Sequence, residues 1–191
     1  DPDVRYFGTN RVYRSASSTS WTNISPDLTG GPHQGNSGQV NGTLTTIAVS
    51  PQDGDVIWSG SDDGRVHVTE NGGGSWTDVS AGLPERWVTA VRADPFKRGT
   101  AYVTLSGYRW AEPLARVYMT TDLGATWTSI SGDLPDVPVN DLATDPDWPG
   151  HFFVATDLGV YETFSVGGLW NVLGTGLPNV VVTSIAFDAP N

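Results

Sequence analysis

Four tryptophans constrain this chain more than any other feature. Trp21, Trp76, Trp127 and Trp170 each close a short polar segment, and 55, 51 and 43 residues separate them. Three of these segments align without gaps: Thr69-Glu-Asn71-Gly-Gly73-Gly-Ser75-Trp76, Thr120-Thr-Asp122-Leu-Gly124-Ala-Thr126-Trp127 and Thr163-Phe-Ser165-Val-Gly167-Gly-Leu-Trp170. The fourth, Ser15-Ala-Ser17-Ser-Thr19-Ser-Trp21, is degenerate and one residue shorter. A period in this range marks an array of supersecondary units that bury their faces against one another.

The flanks repeat as well. After each tryptophan comes a short strand and a turn, then an apolar strand that ends in a proline turn, from Leu44, Val88, Val139 and Val181. Second strands are expected at 56–60, 101–105 and 152–156, and third strands at 66–69, 117–120 and 160–163, on alternation and β-branched content. With 23 Gly and 13 Pro, the chain suits many short strands and not long helices. Four strands per period with variable loops is the pattern of a propeller blade.

Within each box, Asn71, Asp122 or Ser165 can accept hydrogen bonds from turn amides. Gly73, Gly124 and Gly167 stand where a positive φ is needed. Trp76, Trp127 and Trp170 are then expected to pack between sheets, largely buried in equivalent positions. These motifs resemble the Asp-box (bacterial neuraminidase) repeats of sialidases, xyloglucanases and sortilin-type propellers, over nearly the whole chain. The resemblance implies an all-β propeller of four-stranded antiparallel blades with Asp-box turns. Residues 1–191 form one propeller region, with complete blades at 44–80, 88–131 and 139–174 and partial ones at 4–25 and 182–188. The first partial blade has strands at 4–8, 11–15 and 21–25 but no first strand, and the last is a lone first strand. Together they make one blade, which allows a closed four-bladed ring. The resembling families build larger rings, so the expectation is a fragment of a longer chain.

Charge and composition narrow the function classes. Ten basic against 21 acidic side chains give a net charge of −11, which opposes binding to nucleic acid. No apolar run is long enough to insert into a membrane, and Asp1-Pro2-Asp3 is no leader peptide. With no cysteine there is no thiolate site, and His33, His67 and His151 share no ligand spacing. Neither a metal nor another cofactor is expected.

Loops joining second to third strands lie on the face opposite the box turns, where binding sites gather around the axis. Two of these loops are tight, at Asp62-Asp63-Gly64 and Asp157-Leu158-Gly159. The third is the insertion Ser106-Gly-Tyr108-Arg109-Trp110-Ala-Glu112-Pro-Leu-Ala115, and Glu85-Arg86-Trp87 should pass beside it. Arg86, Trp87, Tyr108, Arg109, Trp110 and Glu112 are therefore the candidate ligand-binding set, suited to sugar rings or a protein hot spot. The alternative role for Trp87 and Trp110 is to cover strand ends. The Gly-rich stretch 29–42 is expected to be a flap.

Asp157, with Asp62 and Asp63, is the available candidate for glycosidase chemistry, which needs two carboxylates across one sugar. Ordinary hairpin turns use the same residues, so no catalytic residue is assigned. Similarity to sialidases would require an Arg-Ile-Pro segment, and Tyr13-Arg14-Ser15 departs from it.

The reading is a non-catalytic recognition or scaffold module of a secreted, extracellular or periplasmic, bacterial protein. Its partner would be a glycan, a protein, or the remaining blades of a larger protein. The alternatives are part of a glycoside hydrolase whose second carboxylate lies elsewhere, and an assembly factor for a membrane complex.

Overall fold

A computed structural model describes residues 4–17, 19–31, 33–34 and 40–187. The chain runs through seventeen strands among these residues: β1 (Arg5–Gly8), β2 (Val12–Ser15), β3 (Thr22–Asn23), β4 (His33–Gln34), β5 (Val40–Asn41), β6 (Leu44–Ser50), β7 (Asp53–Ser61), β8 (Val66–Thr69), β9 (Thr77–Asp78), β10 (Trp87–Ala93), β11 (Ala101–Ser106), β12 (Val117–Thr120), β13 (Thr128–Ser129), β14 (Val139–Thr144), β15 (Phe152–Thr156), β16 (Gly159–Thr163) and β17 (Asn171–Val172). They form antiparallel meanders in chain order: sheet I (β1–β2–β3), sheet II (β6–β7–β8–β9), sheet III (β10–β11–β12–β13) and sheet IV (β14–β15–β16–β17). β4 and β5 pair as a hairpin, while residues 32 and 35–39 of the expected flap lie outside the described residues.

The first strands β6, β10 and β14 lie side by side, so the sheets radiate from a common line. Each of these strands carries a register shift near its start, at Thr45, Thr89 or Asn140. Freed from the ladder, that side chain bridges outward to the next first strand or, from Asn140, to residue 182. Thr45 Oγ1 donates to Val88 O at 2.6 Å, Thr89 Oγ1 to Val139 O at 2.8 Å, and Asn140 Nδ2 to Val182 O at 3.0 Å.

Between successive sheets sits an apolar layer. Val12, Leu28 and Leu44 bury between I and II; Val56, Trp58, Val88 and Val103 between II and III; Tyr102, Leu142, Phe152 and Val154 between III and IV. Gly60 has no room for a side chain, because a Cβ there would lie 2.4 Å from Val88 Cγ1.

The box turns seal each layer from outside. Asn71 Oδ1 accepts from the Ser75 amide and Asp122 Oδ1 from the Thr126 amide, both at 2.9 Å. Thr69 and Thr120 add a bond from the Gly73 and Gly124 amides. Gly73, Gly124 and Gly167 hold φ of 100°, 85° and 69°. The indoles of Trp76, Trp127 and Trp170 donate to Ile24 O, Val79 O and Ile130 O of the preceding sheet, at 2.8, 2.7 and 3.1 Å.

Three expectations need correction. The shorter side chain of Ser165 accepts no turn amide, and the turn closes through its backbone carbonyl, which takes the Gly168 N–H. Trp76 and Trp127 are half-buried rather than buried, because each ring lies at the rim of its layer; Trp170 alone is buried, at 6% exposed. Residues 182–187 carry no strand, since among the described residues no second strand stands beside them to form a ladder. They donate to Thr156 O and Asp141 Oδ2 and accept from Asn140 Nδ2, and among the described residues none of their bonds goes to β1.

Candidate functional site

The six residues expected to converge do so, in two layers with different surroundings. After β11 the chain makes a single 3₁₀ turn at Tyr108–Trp110, closed by a bridge between Gly107 and Glu112. Ala111 leaves that turn at φ 55°, which swings Glu112 back toward the sheet. There Glu112 joins two guanidinium groups. Arg86 Nε and Nη2 donate to its two oxygens at 3.0 and 2.5 Å, and Arg116 Nη2 donates to Oε2 at 2.5 Å. The hydrogen bond from Arg86, with the charges of Arg86 and Arg116, holds the Glu112 carboxyl below the usual carboxylate range. The same bond raises the Arg86 pKa. Arg86 also lies over the Trp110 ring, 5.0 Å from its centroid. These three residues fix the insertion in place.

The other three face open space. The Arg109 guanidinium stacks on Trp87 at 3.9 Å, and Tyr108 is 75% exposed. They border a cavity of about 890 Å³ at the mouth of the common axis. Its remaining wall comes from the starts of the first strands and the loops between them: Thr43, Leu44, Thr45, Thr89, Ser106, Pro138, Asn140, Asp157, Val181 and Thr183. The wall thus combines aromatic faces, one cation and a ring of hydroxyl and amide groups.

Asp157 is the one acidic residue in that lining, and its Oδ1 accepts from Asn140 Nδ2 at 2.9 Å. The other two carboxylate candidates serve their turn. Asp62 Oδ1 takes the amides of Gly42 and Thr43 at 3.0 Å, and Asp63 accepts from the Gly30 amide and from Ser61 Oγ. They secure the connection that enters sheet II.

Sequence reasoning overlooked Asn140, although a signal was available, because Asn140 stands where the repeat has Thr45 and Thr89. It also passed over a cluster remote from the cavity. His151 Nδ1 lies 2.8 Å from Asp145 Oδ2, its Nε2 lies 3.2 Å from Glu162 Oε2, and its ring stacks on Phe164.

Sheets of four strands around one line, joined first strand to first strand, define a β-propeller module. No family model matches the chain. Over 91 residues it is 30% identical to the oligoxyloglucan-reducing-end-specific xyloglucanase of Emericella nidulans; the match covers 45% of this chain and 10% of that enzyme. Among solved structures, an ancestral GH74 enzyme superposes with a TM-score of 0.69 at 19% identity, covering 92% of this chain and 23% of that one. The nidogen/laminin complex gives 0.65 at 14% identity, with 92% and 63% covered. YCF48 bound to D1 peptide gives 0.57 at 15%, with 85% and 47% covered. At these identities the structural likeness establishes the fold. The chain spans a tenth of the curated relative and less than a quarter of the GH74 enzyme.

Proposed function

We propose that the axial cavity is a non-catalytic recognition site for a glycan, carried by a secreted bacterial protein. The proposal includes the Asp-box identity of the turns and a larger ring than the described sheets form. The observation that supports it best is the cavity wall. Trp87 and Tyr108 offer ring faces, and Arg109, Asn140, Asp157 and the threonines offer polar edges around about 890 Å³. Sugars present apolar faces rimmed by hydroxyls and fit such a wall. Similarity to an enzyme named for oligoxyloglucan makes xyloglucan oligosaccharides the first ligands to try. Among the described residues, Asp157 is the one carboxylate lining this cavity, and Glu112, which lines an adjoining pocket with it, is held by Arg86 and Arg116; this favours binding over hydrolysis.

Titration calorimetry with xyloglucan oligosaccharides tests this. Tyr108→Ala should weaken binding by about 1–3 kcal/mol, as for a lost stacking contact. Its effect on stability should be slight, because the ring is exposed. Trp110→Ala should act mainly on stability, since its ring serves Arg86. Equal binding by wild type and Tyr108→Ala would end the proposal. The second reading, part of a glycoside hydrolase, rests on Asp157 facing the cavity and on the same relative. It requires turnover that disappears in Asp157→Asn.

A further inference from the structure

We infer that the glycan taken by this cavity is acidic: Arg109, held on Trp87, receives the carboxylate of a uronic acid whose ring lies on Tyr108. The inference rests on the glycan reading above and names the class of sugar.

Five arginines of this chain each hold a carboxylate. Arg65 pairs with Asp78, Arg86 and Arg116 share Glu112, Arg92 holds Asp141, and Arg98 holds Asp53 and Glu70. With 21 acidic against ten basic side chains, such partners are plentiful. Arg109 has taken none of them among the described residues, and it is the cation in the cavity lining.

The backbone fixes Arg109 where it stands. Sheet III lies between sheets II and IV, so the insertion sits inside the array. Strand register sets Trp87 opposite Ser106, the last residue of β11. From there the chain turns over Gly107, whose carbonyl takes the amides of Trp110 and Glu112 at 2.8 and 3.1 Å. Position 107 has no room for a side chain, since a Cβ would lie 2.8 Å from Glu112 Cβ. Arg86 and Arg116 anchor Glu112 in turn. Arg109 is thereby returned over the indole opposite its own strand, with its guanidinium 3.9 Å from the ring centroid. Nothing fits between the two, so that face of Trp87 holds the cation and is closed to a sugar. A guanidinium stacked in this way keeps its N–H donors at its edge, free for a second partner. Because the side chain is already ordered, binding costs little further entropy.

The chemistry of that edge selects the ligand. A planar fork of donors matches a planar two-oxygen acceptor, a carboxylate, through two parallel hydrogen bonds. In the chair form of a glucuronic or galacturonic acid the carboxylate is equatorial on C5, so it lies at the edge of the sugar ring. Tyr108, 75% exposed and next to Arg109 in the turn, offers the platform for the sugar's face. A sugar resting there keeps its carboxylate in the plane beside the platform, where Arg109 stands. Thr43, Thr45 and Asn140 remain for the sugar hydroxyls. Asp157, the one carboxylate of the lining, already accepts from Asn140 Nδ2 at 2.9 Å.

Titration calorimetry with one pair of probes tests this: a xyloglucan oligosaccharide, and the same oligosaccharide with its free primary alcohols oxidised to carboxylates. The readout is the ratio of the two affinities. Wild type should bind the oxidised form about tenfold more tightly, as for a gained charge-assisted hydrogen bond. Arg109→Gln, an exposed change that circular dichroism should show folded, should bring the ratio to about one. Trp87→Leu should lower the ratio, because Arg109 loses its support, and Trp87→Phe should restore it. Equal or weaker binding of the oxidised form by wild type overturns the inference and leaves the glycan site standing. A ratio unchanged in Arg109→Gln or in Trp87→Leu overturns it as well. Binding of neither probe overturns it together with the glycan reading.

Discussion

Replacing Trp127 with alanine removes three separable contributions. Its ring is half-buried in the layer between sheets II and III, edge-on to Trp58 at 6.3 Å, and its indole donates to Val79 O at 2.7 Å. Truncating a fully buried aromatic costs about 3–5 kcal/mol, so half-burial leaves about 2 for packing. The edge-on partner adds about 0.5–1 kcal/mol. The lost hydrogen bond adds about 1 kcal/mol, because water at the rim can take over Val79 O. The expected loss is therefore about 3–4 kcal/mol. Trp170, buried and bonded to Ile130 O, should reach about 4–5 kcal/mol. Trp21, half-exposed and unbonded, should lose less than about 1.5 kcal/mol. Equilibrium urea unfolding followed by far-ultraviolet dichroism and fluorescence measures the series, two probes being needed because blade arrays can unfold in parts. A Trp21→Ala loss equal to that of Trp170→Ala would refute this ranking by burial. So would a Trp127→Ala loss below about 1 kcal/mol.

Two further outcomes follow from the box turns. At Gly124 an added Cβ meets both a φ of 85° and Val79 Cβ at 2.7 Å, so Gly124→Ala should cost about 2–4 kcal/mol in urea unfolding; Gly82→Ala, with φ 88° and open space, should cost only about 1. Asp122 is held below its ordinary pKa by hydrogen bonds from Thr126 and Thr120, so its contribution is present above the usual carboxylate range and is lost as pH falls through the lowered folded-state value. Asp122→Asn should keep most of its stability at pH 7, as Asn71 does in the preceding turn, and should flatten the decline below about pH 4 in an acid titration followed by dichroism.

The blades were legible because the repeat states each element more than once. Tryptophan after an Asx turn, proline after an apolar run and glycine at a positive φ recur in register, so each unit checks its neighbours. What the pattern did not show is what depends on a single side-chain atom. Ser165 occupies the position of Asn71 and Asp122 and is too short to do their work. The depth of each tryptophan depends on the sheet behind it, which no local motif records. The strand at 182–187 is present in its pattern and absent as a ladder, because a strand needs a neighbour.

The site was legible as a gathering of residues and not as a division of labour. Loop lengths bring Arg86 and Glu112 together across the blade, but only the backward turn at Ala111 decides that they lock the insertion and leave Trp87, Tyr108 and Arg109 to the cavity. Asn140 carries the division further, because its one amide nitrogen serves both the site and the ring. It donates to Asp157 Oδ1 inside the cavity and to Val182 O at the join. Asn140→Ala should therefore weaken glycan binding and also lower stability, through the lost bond to Val182 O. Asn140→Thr separates them, since Thr45 and Thr89 make the inter-strand bond from this position with a hydroxyl that is too short to span to the Asp157 turn as well. Calorimetry and urea unfolding on the two variants should show stability restored by threonine while binding stays weak. Recovery of both stability and binding by threonine would mean that Asp157 needs no partner, and would remove Asn140 from the cavity's design.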